Sequence, residues 1–280
     1  MRRGVAVLIL LAGCDLVFQI KPPPAAGDGG GSDDPGRDAT GTPGTCPPIG
    51  TAPAFTPNPT TLYDHSCAYT ESVDKQLAVG DCIGGDMEGP PGMLDAPLQI
   101  DNPGALTLRS MRLSPEGDRL LVDAGGTARM YVRNGSRWEN PETLPLTIGV
   151  NDFASTPSAL AERHVIIGRN DYNPGRFEEW RDNGDGTWDK PYDYTPATFG
   201  LTSVGHASLS RDGRRLVFGG NSSAGTSDSI YYSDRQSIAD PFTSAVEIPV
   251  VDAHPFFPFL TEDCGHLYFG DPFSFMVVVP

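Results

Sequence analysis

The sequence predicts an all-β fold, a β-propeller built from four-stranded antiparallel blades. Its 280 residues include 33 glycines and 27 prolines, more than a helical protein tolerates. A short motif of strand, tight turn and apolar strand recurs along the chain. The copies follow one another at roughly 40–50 residues, which is the length of one propeller blade.

Three copies of this motif align well, and each joins a Leu-Ser or Leu-Thr strand end to an apolar strand through a turn that contains glycine. Glycine supplies the positive φ that such tight turns need. A fourth, degenerate copy has lost the turn glycine. The copies are Met111–Asp123, Ala207–Gly219, Pro258–Gly270 and the degenerate Pro157–Gly168.

The second strand of each copy is apolar at successive positions, and such runs are typical of strands covered on both faces. These strands are Leu120–Val122, Val165–Ile167, Leu216–Phe218 and Leu267–Phe269. Upstream, the segment from Cys67 to Cys82 reads as a strand, a turn and a strand, and indicates one more divergent blade. We therefore expect five blades, with six as the alternative, and ring closure by a strand from the N-terminal part of the domain.

One blade continues from Leu209-Ser-Arg-Asp-Gly213 through Ile230-Tyr-Tyr-Ser-Asp-Arg235 to Asp240-Pro-Phe242. In these segments the sequence resembles the repeats of TolB-type β-propellers, and the resemblance covers residues 106–269. It is good in this blade, moderate around Ser114 and Thr261, and poor around Ser158. Families of this kind mostly serve as interaction platforms, so the resemblance implies a binding or scaffolding role.

The chain begins MRRGVAVLILLAGC, a short basic segment followed by an apolar run. That run is too short to span a bilayer permanently, which takes about 20 residues, and it fits the apolar region of a secretory signal. Leu11-Ala12-Gly13-Cys14 resembles the lipobox of bacterial lipoproteins. The resemblance implies a signal peptide over residues 1–13, a diacylglyceryl anchor on Cys14 and a location in the cell envelope, with the choice of membrane left open.

Residues 14–45 contain almost nothing apolar after the first few positions, so they cannot offset their ordering entropy and read as a flexible tether. The propeller domain is then residues 46–280. The formal net charge is −16. An acidic surface repels phosphate backbones, which argues against nucleic acid as a partner.

Cys14 apart, the sequence contains four further cysteines, an even number in an oxidising compartment. Four cysteines allow three pairings. We expect Cys67 with Cys82, because they flank one predicted strand pair, and Cys46 with Cys264, which would tie the first segment of the domain to the last. No Cys-x-x-Cys pair supports a zinc site.

No residue pattern predicts catalysis, a metal or another cofactor. The five histidines have no metal-ligand spacing, and neither a Gly-x-Ser-x-Gly elbow nor a phosphate-binding loop is present in the sequence. We therefore predict a membrane-anchored, non-enzymatic binding module that presents its loops to an envelope protein or glycan. The alternative is a five-bladed glycan-active enzyme, which requires two or three carboxylates converging on the central channel.

Overall fold

The computed structural model describes residues 46–51, 53–55, 59–63, 67–82, 85–101, 106–149, 152–154, 164–169, 174–222, 229–250, 256–270 and 275–279. The predicted signal peptide, Cys14 and the tether lie outside these residues. Among the residues described, no helix is both long and apolar enough to cross a membrane. A 3₁₀ turn, Pro196–Phe199, lies in the connection between two of the sheets.

The described residues form five four-stranded antiparallel sheets, which confirms the predicted fold class. Blade 1 comprises β2 (Cys67–Glu71), β3 (Ala78–Cys82), β4 (Gly85–Gly89) and β5 (Ala96–Pro97); blade 2 comprises β6 (Leu108–Leu113), β7 (Arg119–Ala124), β8 (Thr127–Asn134) and β9 (Arg137–Thr147). Blade 3 comprises β10 (Phe153–Ala154), β11 (His164–Arg169), β12 (Arg176–Asp182) and β13 (Trp188–Tyr194); blade 4 comprises β14 (Ser203–Leu209), β15 (Arg215–Asn221), β16 (Ser229–Asp234) and β17 (Val246–Ile248). Blade 5 comprises β18 (Phe256–Leu260), β19 (Leu267–Gly270) and β20 (Phe275–Val278), with β1 (Thr60–Tyr63) as its outer strand.

The fifth blade is completed by the N-terminal strand, as the sequence predicts. Strand β1 pairs antiparallel with β20, with Thr60 opposite Val277. This pairing covers the edge that β20 would otherwise expose, and an uncovered edge is a template for pairing with another chain. The ring is thereby closed by strands from both ends of the domain.

The apolar core lies between the blades. Four buried clusters each join two blades that follow one another in the chain, and a fifth, around Tyr69 and Tyr268, joins blade 1 to blade 5. Five junctions for five blades close the ring without a sixth. Trp138 is fully buried in the junction of blades 1 and 2, and Trp188 packs against the junction of blades 2 and 3. These tryptophans therefore serve packing between blades.

The turn between the first and second strands is the same in four blades. In each, a Ser or Thr hydroxyl accepts a hydrogen bond from the backbone N–H five residues later, at 2.9–3.1 Å. The hydroxyls belong to Ser72, Ser114, Ser210 and Thr261. The turn at Ser72 is a further copy of this turn that the sequence pattern does not reveal. Lys75, with a φ of 56°, takes the left-handed position that glycine fills in blades 2 and 4.

We call the side of the ring that carries these turns, residues 72–77, 114–119, 210–215 and 261–266, the turn face. The first strand of each blade runs toward this face. The connections that enter those strands, such as residues 195–202, therefore lie on the opposite side, which we call the loop face.

Gly213 and Gly184 both have a positive φ, but only Gly213 is crowded by a neighbouring side chain. Comparing alanine variants at the two positions therefore distinguishes backbone strain from steric overlap. Gly213 (φ 67°) lies in the turn of blade 4, where an added Cβ would be 3.1 Å from Nδ1 of the buried His164; Gly184 (φ 80°) has open space. Both Gly→Ala changes strain the backbone by roughly 1–2 kcal/mol. We expect Gly213→Ala to cost about 1–3 kcal/mol more than Gly184→Ala, because only Gly213 is also overpacked. Urea titration of both variants measures this difference, and equal losses would contradict it.

Candidate functional site in the central channel

The inner strands of three blades bulge at the same level of the ring. In β6, β14 and β18, one extra residue interrupts the pairing with the second strand. At each bulge a residue other than glycine takes a left-handed backbone: Ser110 (φ 51°), His206 (φ 40°) and Phe257 (φ 52°). Such residues cost about 1–3 kcal/mol each, and bulges typically re-aim side chains near binding sites.

The side chains near these bulges meet across the ring axis. The guanidinium carbon of Arg112, from blade 2, lies 5.6 Å from the ring centroid of Phe257, from blade 5. The ring centroid of His206, from blade 4, lies 3.8 Å from that of Phe257. Blade 2 adjoins only blades 1 and 3 in the ring, so these contacts with blade 5 are made at the centre.

Arg112 and His206 are both buried, with Arg112 only 2% exposed. Burial lowers the pKa of Arg112 to about 10, against a partial offset from the carboxylate of Asp81. Burial, followed by the positive charge of Arg112, holds the pKa of His206 well below its usual range. At neutral pH the described side chains that meet at the centre of the ring are therefore a cation, a neutral imidazole and an aromatic ring.

Two carboxylates lie beside this centre, between blades 1 and 2. Asp81 Oδ2 accepts a hydrogen bond of 2.7 Å from the backbone N–H of Ser110. Asp86 is directly opposite Asp81 in the pairing of β3 with β4. Burial and then the charge of Asp81 raise the pKa of Asp86 to about 6. At neutral pH this pair adds negative charge on one side of Arg112.

The alternative prediction of a glycan-active enzyme placed two or three carboxylates on the axis. The described inner-strand side chains that meet there are instead Arg112, His206 and Phe257, and the pair Asp81–Asp86 stands to one side. Within the described residues, no group of three His, Cys, Asp or Glu side chains could hold a metal ion. His254, one of the five histidines of the sequence, lies outside the described residues.

A disulfide joins Cys46 to Cys264, in the turn of blade 5. The N-terminal segment that follows Cys46 is further held by blade 4. Arg215 donates to the carbonyl of Thr51 at 3.2 Å, and the N–H of Gly50 donates to Asp234 at 2.7 Å. The chain therefore enters the domain on the turn face. Cys46, Ser210, Glu262 and neighbours line a cavity of about 20 Å³ there, room for little more than one water.

Cys82 is also disulfide-bonded. Its backbone partner across strands β2 and β3 is Cys67, whose side chain lies outside the described part of the structure. The bridge between Cys67 and Cys82 stays a prediction.

A second buried polar cluster joins blades 3 and 4. Glu179 is fully buried and accepts hydrogen bonds from His164 (2.7 Å), Tyr194 (2.6 Å) and Arg235 (3.0 Å to each carboxylate oxygen). Arg181 also donates to Glu179 from the edge of the cluster. Every oxygen of the carboxylate is engaged by protein groups, so we interpret this cluster as a structural connection between blades.

The sequence patterns placed only carboxylates in the channel, as part of the enzyme alternative, and did not point to Arg112. The signal available was a charged residue within Met111-Arg-Leu-Ser114, at the end of a strand that otherwise faces the core. The corresponding residue in blade 4 is Ser208, so no charge recurs at this position of the repeat and the repeat does not indicate a function for it.

Three solved structures are similar to parts of this chain. A protein provisionally assigned as TolB from Agrobacterium tumefaciens is 14% identical, with a TM-score of 0.48 over 72% of this chain and 68% of that one. TolB from Acinetobacter baumannii is 14% identical, with a TM-score of 0.45 over 76% and 54% of the two chains. A functionally unknown protein from Desulfotomaculum acetoxidans is 12% identical, with a TM-score of 0.45 over 74% and 62%. No protein-family model and no curated protein matches the chain.

Proposed function

We propose that this chain is an envelope lipoprotein, anchored through Cys14, whose propeller is a non-enzymatic binding module for an envelope protein or glycan. The observation that carries the proposal is the fixed attachment of Cys46 on the turn face, next to the predicted tether. A tether that leaves from one face directs the opposite face outward. The loop face is therefore the surface that we expect to meet the partner.

The rigid ring supports this assignment. Connections between blades cross the loop face, and loops held by a rigid scaffold are the usual place for recognition residues. On the turn face, ion pairs connect the turns: Lys75 pairs with Asp263 at 2.5 Å, and Arg211 pairs with Glu116 at 3.1 Å. These pairs join turns of different blades to one another.

Lipidation is tested by growing cells that express the chain with radiolabelled palmitate. We expect label on the wild-type protein and none on Cys14→Ser, and we expect Cys14→Ser to leave the membrane fraction. The matched control is Ser32→Ala in the tether, which should keep both label and membrane. Label that persists in Cys14→Ser would contradict the anchor.

Partner binding is tested by placing a photo-crosslinking residue at exposed positions of each face. Thr107 and Thr202 report on the loop face, and Asp74 and Glu116 report on the turn face. We expect one discrete envelope product from the loop-face positions and none from the turn-face positions. The same products from both faces, or hydrolysis of glycosides by the purified protein at enzyme-like rates, would overturn the proposal.

A further inference from the structure

Arg112 differs from the other buried arginines of the described structure in its partners. Arg215 makes two hydrogen bonds of 2.7 Å to the carboxylate of Asp234, and Arg235 contacts both oxygens of Glu179 at 3.0 Å. Arg112 donates one hydrogen bond, of 2.8 Å, to the backbone carbonyl of Met111. No described carboxylate lies within ion-pair distance, 4.0 Å, of its guanidinium group.

This arrangement is costly unless an anion completes it. A buried charge without a counter-ion costs several kcal/mol, and the protein cannot neutralise a guanidinium group at ordinary pH. Asp81, whose charge acts on Arg112, is engaged by the N–H of Ser110. The protein also holds two residues beside Arg112, His206 and Phe257, in strained left-handed conformations. Strain and an uncompensated charge at one place are typical of a binding site.

The surroundings indicate which anion fits. The planar guanidinium fork matches a carboxylate or a phosphate. A neutral His206 adds no positive charge, and Asp81 adds negative charge, so a dianion would be repelled while a monoanion balances Arg112. The ring of Phe257, which lies against both Arg112 and His206, suits an apolar part of the ligand rather than a second charged group.

We propose that the central channel is a binding site for a small monocarboxylate, with Arg112 pairing with the carboxylate and His206 and Phe257 contacting the rest of the ligand. The site is distinct from the surface of the loop face. It depends on neither the lipid anchor nor the envelope partner, so either proposal can fail alone.

The test is isothermal titration of the purified full chain with acetate, benzoate and inorganic phosphate, accompanied by thermal denaturation. We expect saturable binding of a monocarboxylate with a higher midpoint of denaturation, and weaker binding of phosphate. Arg112→Met should bind the monocarboxylate at least tenfold more weakly than the wild type does. The affinity of Arg112→Lys should lie between those of the wild type and Arg112→Met. Benzamide, which has the shape of benzoate without its charge, should not bind.

Arg137→Gln is the matched control, because it removes the same charge from an exposed position of the same blade. It should bind as the wild type does. Arg112→Met places an unbranched apolar chain in a buried site, so we expect it to fold; if it does not, Arg112→Lys alone decides. Absence of saturable monocarboxylate binding in the wild type, or equal binding by the wild type and Arg112→Lys or Arg112→Met, would overturn the inference.

Discussion

Replacing Glu179 by alanine is expected to lower the free energy of unfolding by about 3–5 kcal/mol, because it leaves the buried Arg235 without its carboxylate. The same change removes acceptors from His164 and Tyr194, both buried. Guanidinium denaturation measures the loss. Glu247→Ala, at an exposed position of the outer strand of blade 4, is the matched control and should stay within about 0.5 kcal/mol of the wild type.

The lowered pKa of Glu179 predicts how the free energy of unfolding depends on pH. Burial by itself would raise its pKa, but the hydrogen bond from His164, the charge of Arg235 and the hydrogen bond from Tyr194 lower it to about 2. A carboxyl with a lowered pKa stabilises the fold above its unfolded value of 4.5, and this contribution is lost as the pH falls from there toward 2. We expect a smaller loss over this range in Glu179→Gln, which does not titrate. Equal slopes in the two proteins would contradict this account.

The second large effect concerns the bridge between Cys46 and Cys264. The double variant Cys46→Ser/Cys264→Ser should lose about 2–5 kcal/mol of stability. The bridge closes a loop with a sequence separation of 218, which restricts the unfolded chain, and it also fixes the N-terminal segment on blades 4 and 5. Denaturant titration under oxidising conditions gives the loss without disturbing Cys82.

A control separates these two contributions of the bridge. Asp234→Asn weakens the attachment of the segment, since Asp234 accepts from both Gly50 and Arg215, and it leaves the disulfide in place. Asp234→Asn is therefore introduced both into the wild type and into the double serine variant. If the bridge acts through the unfolded chain, the protein without the bridge should still be less stable than the protein with it. An unchanged unfolding midpoint in the double serine variant would contradict a stabilising role.

The fold could be predicted from the sequence because its signals are local. The turn around Ser210 is specified within a few residues by a hydroxyl, an aspartate and a glycine, and the apolar run Leu216–Phe218 follows at once. The turn of blade 2, around Ser114, follows the same short-range rules, with glutamate in place of the aspartate. The turn at Ser72 was not recognised in the sequence because Lys75 stands at the left-handed position where blades 2 and 4 have glycine. The hydrogen bonds of the turn are the same, but its pattern of residue types is not.

The central cluster could not be predicted because it depends on residues far apart in the chain. Arg112 and Phe257 come from blades that are not neighbours, and nothing near either residue indicates that they meet at the axis. The pairing of Glu179 with Arg235 likewise joins two blades. Such contacts are fixed by how many blades close the ring and by where each inner strand bulges. Both are properties of the assembled domain.

The pairing of β1 with β20 has a consequence for the order of folding. Thr60 and Val277 are among the most distant residues of the domain in sequence, yet they are partners in one sheet. The domain cannot reach its final contacts until residues 275–278 have been synthesised, and a chain that ends before them leaves β1 without a partner. Topologies dominated by such distant contacts fold slowly, because the entropy of closing the loop is lost before the contacts form. We therefore expect the last step of folding to be the arrival of β20 between β1 and β19, with the earlier blades already formed.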